Sequence, residues 1–374
     1  MLRFLTAGES HGQALVAILE GMPAGLKIDR KKIDANLSLR QAGYGRSRRQ
    51  SEIENDRVEI LAGLKGGITL GSPIALLIRN RDNAIESLPP VFCPRPGHAD
   101  LIGALKYHHK DLRCVLERAS ARETAARVAM GAVCRLFLEE FNIEIISHTV
   151  AISKIQAHTT SLSFNQIKSK AKNSPLRCAD KTAEKLMIKE IDSIKKIGDS
   201  LGGVFEVRVK NVPPGLGSYV HYDRRLDGRL AAALMSIPSV KGIEIGMGKE
   251  CAMERGAAVH DEIFYEKKKK FYRKTNNAGG LEGGVTNGEN IVIKCALKPI
   301  PTLINALSSV DINTKKSKRA SVQRSDVCVV PAAGIIGQAM TAFEISRVFL
   351  EKFGSDNMKD IKNAFSFYMK EIAG

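Results

Sequence analysis

The 374-residue chain has no tryptophan, and only 5% of its residues are aromatic. Its core must therefore be mostly aliphatic, and the mixed basic and aromatic stripes that stack nucleic-acid bases are missing. The seven cysteines stand singly at 93, 114, 134, 178, 251, 295 and 328, with no CxxC pair. An odd, scattered set excludes a disulfide framework and a cysteine zinc site, and favours a reducing compartment. The longest uncharged stretch, 327–343, is interrupted by Pro331, Gly334, Gly337 and Gln338. It falls short of the roughly 20 apolar residues of a spanning helix. Glu9 and His11 interrupt the apolar start before a signal-peptide core can form, so a soluble, cytoplasmic protein is expected. No period of 20 to 50 residues repeats, which sets solenoids and propellers aside. No GxGxxG links a strand to a helix in a βαβ unit, which disfavours a Rossmann cofactor domain. His108 and His109 are adjacent and would point apart on a helix, so no metal site is expected.

What the sequence does have is positive charge, 57 Lys plus Arg against 40 Asp plus Glu, a net +17. Such an excess serves nucleic acid, an acidic membrane surface or small anionic ligands, and the placement of the arginines must decide. With 44% hydrophobic residues and 32 glycines the chain can bury a core. Residues 2–6 and 14–19 read as two strands around a glycine-bracketed corner, GESHG at 8–12. Asp29 caps a helix carrying Ile33 and Leu37. Strands near 58–64 and 68–78 meet at a Lys-Gly-Gly turn, and a helix follows RPGHAD as far as Lys106. Ser120 and Glu123 have the spacing of a capping box. Ala125, Val128, Ala129, Ala132 and Leu136 then recur with helical period, and this small-residue face predicts a buried central helix.

Residues 153–197 are lysine-rich and read as a peripheral helical insertion. Strands are expected at 203–209, 240–245 and 290–297. Asp223 is expected to cap a helix through Leu226, Leu230 and Leu234. Residues 267–270 read as a solvated loop or helix face, and 308–325 as a mobile polar stretch. A long helix around 339–353 closes the pattern. Strands, then helices, then strands, without regular βαβ alternation, predict an α+β fold with mainly antiparallel sheets. No composition break divides the chain, so residues 1–374 are expected to form one domain.

Arginines cluster beside glycine corners at 40–49, at Arg95 with Gly97, and at Arg118 with Arg122. A guanidinium grips phosphate or carboxylate bidentately, and glycine lets backbone NH groups approach. The last pair starts the capped helix, where free NH groups and the dipole already favour an anion. The alternative is ordinary pairing of these arginines with Glu52, Glu54, Glu117 and Glu123. His11 and His98 lie in corners where an imidazole could reach the rim of a pocket, or could be structural. Asp326 follows Arg324 just before an apolar run. It reads either as a cap or as a carboxylate tuned by its arginine.

Seven segments, in order, carry a resemblance: RFLTAGESHG at 3–12, RQAGYGRSRR at 40–49, RPGHADLIGALKY at 95–107, ERASARETAARVAMGA at 117–132, GDSLGG at 198–203, MSIPSVKGIEIG at 235–246 and NNAGGLEGG at 276–284. Together they resemble the signatures of the chorismate synthase family, nearly end to end. The resemblance implies a lyase of the shikimate pathway that converts 5-enolpyruvylshikimate 3-phosphate to chorismate by 1,4-anti elimination with reduced FMN. It implies a β-α-β sandwich, helices between two antiparallel sheets, usually as a homotetramer. It also implies roles residue by residue. His11 assists phosphate departure as a general acid, His98 stands near the reduced flavin, and Asp326 helps remove the ring proton. Ser10, Arg40, Arg46, Arg49, Arg95 and Arg122 hold the substrate. FMN contacts fall on Arg118, Ala119, Ser120, Pro238, Ser239, Gly283, Lys298, Pro299, Ile300, Pro301, Thr302 and Arg324.

In some members Arg40 and Arg46 instead correspond to residues contacting NADP. No reductase domain accompanies the motifs, so reduced flavin is expected from an external source. The chain departs from the family at Ala119, Ser325 and Val327, where serine, histidine and proline are usual, and at 299–302, which lacks the usual serine hydroxyls. A flavin oxidoreductase and a basic RNA-binding protein are the competing readings.

Overall fold

The computed structural model describes residues 1–46, 55–267, 270–323 and 326–373. Two antiparallel sheets enclose a helical layer. The first has four strands in the order Arg3–Ala7, Ala14–Glu20, Ile74–Arg79, Val58–Ala62. Alternation along these strands sends Leu15, Ala17, Leu19, Ile74, Leu76 and Ile78 inward. The second sheet runs Val240–Ile245, Ile291–Leu297, Gly203–Lys210, Glu144–Ile152, Ile155–Gln156.

Between the sheets lie the helices Thr124–Glu139 and Val330–Phe353, packed against each other and flanked by Arg30–Gln41 and Leu226–Met235. The first touches strands of the four-stranded sheet and the second lies on the central strands of the other. The long helix is buried nearly all round, as a helix between two layers must be. Small residues make this possible. A Cβ on Gly131 would lie 2.4 Å from the Cβ of Ala339 and 2.7 Å from its carbonyl oxygen. One contiguous core runs from Leu2 to Ile361. The few aromatics are concentrated: Phe141 and Phe349 stack at 4.4 Å, with Phe137, Phe353 and Phe365 around them.

Several local expectations change. The long helix begins nine residues earlier than expected, with a proline in its first turn, where a missing NH costs nothing. A further helix, Met358–Ala373, follows it. Ser120 caps a 3-10 turn, Ala121–Glu123, by accepting from Arg122 N, and Glu123 pairs with Arg127 instead of closing a capping box. Asp223 pairs with His221 in the turn Tyr222–Arg224, and the helix after it starts at Leu226 without a side-chain cap. The polar stretch 308–325 contains the hairpin Ser308–Val310 with Ser317–Arg319. Within 153–197, helix Phe164–Lys172 supports a small satellite cluster with Ile146, whereas helix Lys181–Ile197 sends Met187 and Ile191 into the main core.

The fold sets the site at the ends of these elements. The first hairpin turns through the corner at 8–13, which requires Gly8. Its φ is +108°, and a Cβ there would meet the Ala14 carbonyl oxygen at 2.3 Å. Ser10 N then donates to Glu117 O at 3.0 Å, fastening the corner beside the start of the central helix.

Candidate active site

A cavity of about 680 Å³ opens where the central and long helices begin. Ser120, Ala121, Arg122 and Thr124 line it from one helix start, and Val329, Ala332, Ala333 and Ile336 from the other. Helix N-termini aimed at a common space favour anions.

Arginines from three segments converge there. Arg40, at the end of helix Arg30–Gln41, donates from Nε to Thr124 Oγ1 at 3.0 Å and from Nη2 to Ala121 O at 2.9 Å. Arg122 donates to Asn80 Oδ1 at 2.9 Å and to Asp56 at 2.7 Å. Asp56, fully buried, also lies 3.7 Å from Arg40 Nη1. One carboxylate thus serves two buried guanidiniums. Burial pulls the Arg40 guanidinium down to about 10, with Asp56 opposing that and Arg122 and Arg46 adding to it. Among the described residues, Arg40 Nη1 and Arg46 Nε are buried without a hydrogen-bond acceptor. Buried guanidinium NH groups left open fit an anionic ligand that would complete them.

The two histidines line the same cavity, each with 15% of its side chain exposed. His11 Nδ1 lies 2.8 Å from Glu117 Oε2, and its backbone NH donates to the same oxygen at 2.9 Å. On the other edge of the ring, Nε2 is 3.7 Å from Asp82. His98 Nδ1 lies 2.6 Å from Asp100 Oδ1, and Arg95 grips both oxygens of that carboxylate, at 2.8 and 3.0 Å. Burial alone would push the Asp100 carboxyl up. Hydrogen bonds from His98 and Arg95 outweigh it and hold the group well below the usual carboxylate range. Glu117 behaves alike: burial opposes ionisation, and contacts from His11 and Arg113 lower it. Asp326 faces the cavity and accepts from Arg46 Nη1 at 2.6 Å.

Of the residues singled out in the sequence, Ser10, His11, Arg40, Arg46, Arg95, His98, Arg122 and Asp326 all line this cavity. So do Ala119, Ser120, Pro238, Ser239, Lys298, Ile300, Pro301 and Thr302. Three others lie outside its lining. Arg118 is exposed and donates to the carbonyls of Thr6 and Gly8, stapling the corner. Gly283 sits in the tight hairpin turn after Leu281–Glu282, near Tyr219. Pro299 N packs against Gly202, whose Cβ would stand 2.9 Å away. Arg49, Arg324 and Ser325, with Glu52 and Glu54, lie outside the described residues.

For Glu117 and Glu123 the pairing differs from ordinary bridges to the clustered arginines, since Glu117 goes to His11 and Arg113, and Glu123 to Arg127. Asp56, Asp82, Lys241 and Gln323 were not singled out. They carry no local signature, because what marks them is contact with remote segments. Asp100 lay within the RPGHAD motif, where its spacing to both Arg95 and His98 was the available signal.

The sequence profile of chorismate synthase matches residues 2–350. The chain belongs to the chorismate synthase family. A chorismate synthase of Desulforudis audaxviator is 52% identical over 384 aligned residues, covering 100% of this chain and 98% of its own. One from Carboxydothermus hydrogenoformans is 53% identical and covered in full. A solved structure titled "Crystal Structure of Chorismate Synthase" superposes with a TM-score of 0.83 at 44% identity, over 100% of this chain and 98% of that one. The mixed fold with antiparallel sheets is therefore that of the chorismate synthase family, whose members are lyases of the shikimate pathway. No helix among the described residues is long and apolar enough to cross a membrane.

Proposed function

We propose that this chain converts 5-enolpyruvylshikimate 3-phosphate to chorismate and phosphate, with the cavity between the two helix starts as its active site. The carrying observation is the convergence on one hollow of Arg40, Arg46, Arg95 and Arg122 with His11 and His98. A substrate with two carboxylates and a phosphate needs several guanidiniums in one place. In the elimination the bond to phosphate breaks, a ring proton departs and a new double bond forms. His11 is assigned to protonate the leaving phosphate. Asp326, beside Arg46, would aid removal of the ring proton, and Ser10 and the arginines would fix the substrate's orientation. The burial of Arg40 and its open Nη1 favour a compact anion over NADP there.

Reduced FMN is the cofactor this reading requires. Held there, reduced FMN would supply electron density reversibly, which keeps the sum redox-neutral. The donor set fits its anionic and polar groups: Lys298 and Lys241 share one wall, Ser239 and Thr302 offer hydroxyls, and Ser120 marks a helix start. His98, held by Asp100, is assigned to face the flavin. Arg49, Arg118, Gly283, Pro299 and Arg324 are retained as contacts by family correspondence alone, and reduced flavin is taken to arrive from an external reductant. A homotetramer in the cytoplasm completes the reading. Support for assembly comes from Leu5 and Ile18, cross-strand partners on the outer face of the first sheet that are 69% and 42% exposed.

The test is anaerobic phosphate release from the substrate. Release is expected with reduced FMN and none with oxidised FMN. Stoichiometric consumption of reductant would indicate a flavin oxidoreductase instead, and His11→Ala and His98→Ala at full activity would refute the acid role of His11 and the flavin-facing role of His98.

A further inference from the structure

The two cavity histidines are held by the same device, built from unrelated segments. In each, Nδ1 meets a buried carboxylate that is also paired with an arginine: His11 with Glu117 and Arg113, His98 with Asp100 and Arg95. Glu117 is 2% exposed and Asp100 fully buried. A carboxylate on Nδ1 favours that nitrogen as the N–H and turns Nε2 to the opposite side of the ring; at His98 the carboxylate, at 2.6 Å, is nearer to Nδ1 than Arg95 Nη2, at 3.1 Å. For His11, Nε2 lies on the side of the cavity residue Asp82.

The two arginines differ in where they point. Arg113 is tied to the Pro89 carbonyl at 2.7 Å and does not line the cavity. Arg95 does line it, and its third contact is Thr302 Oγ1, another lining residue, at 2.8 Å. Glu117 therefore orients a histidine alone, whereas Asp100 orients a histidine and an arginine of the cavity together.

We infer that Glu117 and Asp100 are positioning residues that set the tautomer and aim of His11 and His98, Glu117 acting on turnover alone and Asp100 on turnover and ligand binding together. The inference rests on the reading of the cavity as the active site, and its test separates the two. In protein labelled with 15N at histidine, the signals are assigned by their loss in His11→Ala and His98→Ala. At alkaline pH both neutral rings are expected to carry the proton on Nδ1. A proton on Nε2 in either ring overturns the inference, whatever part that ring plays in the reaction. This measurement uses the unaltered protein, so it decides even where a variant fails to fold.

Kinetics give the second arm. Glu117→Gln is expected to lower kcat at least about 100-fold, the scale of a lost general acid, with KM little changed. Asp100→Asn is expected to lower kcat and raise KM together. Combined with His11→Ala, Glu117→Gln should cost nothing further, because the pair acts as a unit. A folded Glu117→Gln with unaltered kcat, or losses that multiply in the double variant, overturns the inference. A fully active His11→Ala would refute the acid assignment of His11, while the tautomer measurement would still decide the positioning of its ring.

Discussion

Arg46 Nη1 donates to Asp326 Oδ2 at 2.6 Å, joining two segments 280 residues apart at the cavity wall. The pair is largely buried, with 8% and 14% of the side chains exposed. Breaking a buried pair by removing one partner leaves the other charge uncompensated and costs about 3 kcal/mol. Asp326→Ala is therefore expected to lower the melting temperature and to abolish turnover. Inorganic phosphate should restore part of the lost stability by binding the released guanidinium. A thermal scan with and without phosphate checks this, and an unchanged melting temperature would contradict it.

Arg40 uses a planar fork to span Thr124 and Ala121 while keeping one nitrogen open. Lysine has the charge without the fork. Arg40→Lys is expected to raise KM for the substrate between about 10-fold and 100-fold, the value of a hydrogen bond to a charged group, with a smaller change in kcat. Steady-state kinetics at fixed reduced FMN would show it.

Glu117 and Asp100 have carboxyls lowered by their histidine and arginine partners. Groups with lowered folded-state values contribute stability that is fully present above the unfolded-state values, about pH 4, and lost as pH falls through the folded ones. Melting temperatures should therefore fall steeply below about pH 4. Asp100→Asn, less stable at neutral pH, should show a shallower acid dependence. A parallel pair of profiles would argue against the assignment.

Gly131 faces Ala339 so closely that even one methyl group collides with backbone. Gly131→Ala is expected to destabilise by about 1 to 3 kcal/mol despite the helix preference of alanine. Gly228, in a helix with open space at its Cβ, should tolerate the same change. Denaturant titrations of the two variants make the comparison.

Burial pushes the thiols of Cys178 and Cys328 up to about 11, and those of Cys134 and Cys295 further. A buried, protonated thiol is a poor nucleophile. Under native conditions a thiol reagent should titrate Cys114 and Cys251, and more slowly Cys93, leaving four cysteines unreacted until the protein unfolds.

The family was legible in the order of seven motifs, because each encodes a backbone need or a charge in a short run. The buried central helix was legible for a similar reason: alanines and a glycine at helical period describe a face before it has a partner. Local spacing failed at Ser120 and Glu123, where the expected reciprocal cap became a 3-10 turn with Glu123 drawn to Arg127. It failed also at Asp223, which found His221 before it could cap a helix.

The sequence by itself determined the family, the antiparallel α+β character and the residue types of the site. Only the tertiary structure decided which carboxylate meets which cation. Asp56 lies between Arg40 and Arg122, Glu117 beside His11, and Asp326 beside Arg46. Those choices depend on segments brought together by core packing, and a short-range contact between remote segments leaves no periodicity in the chain from which it could be read.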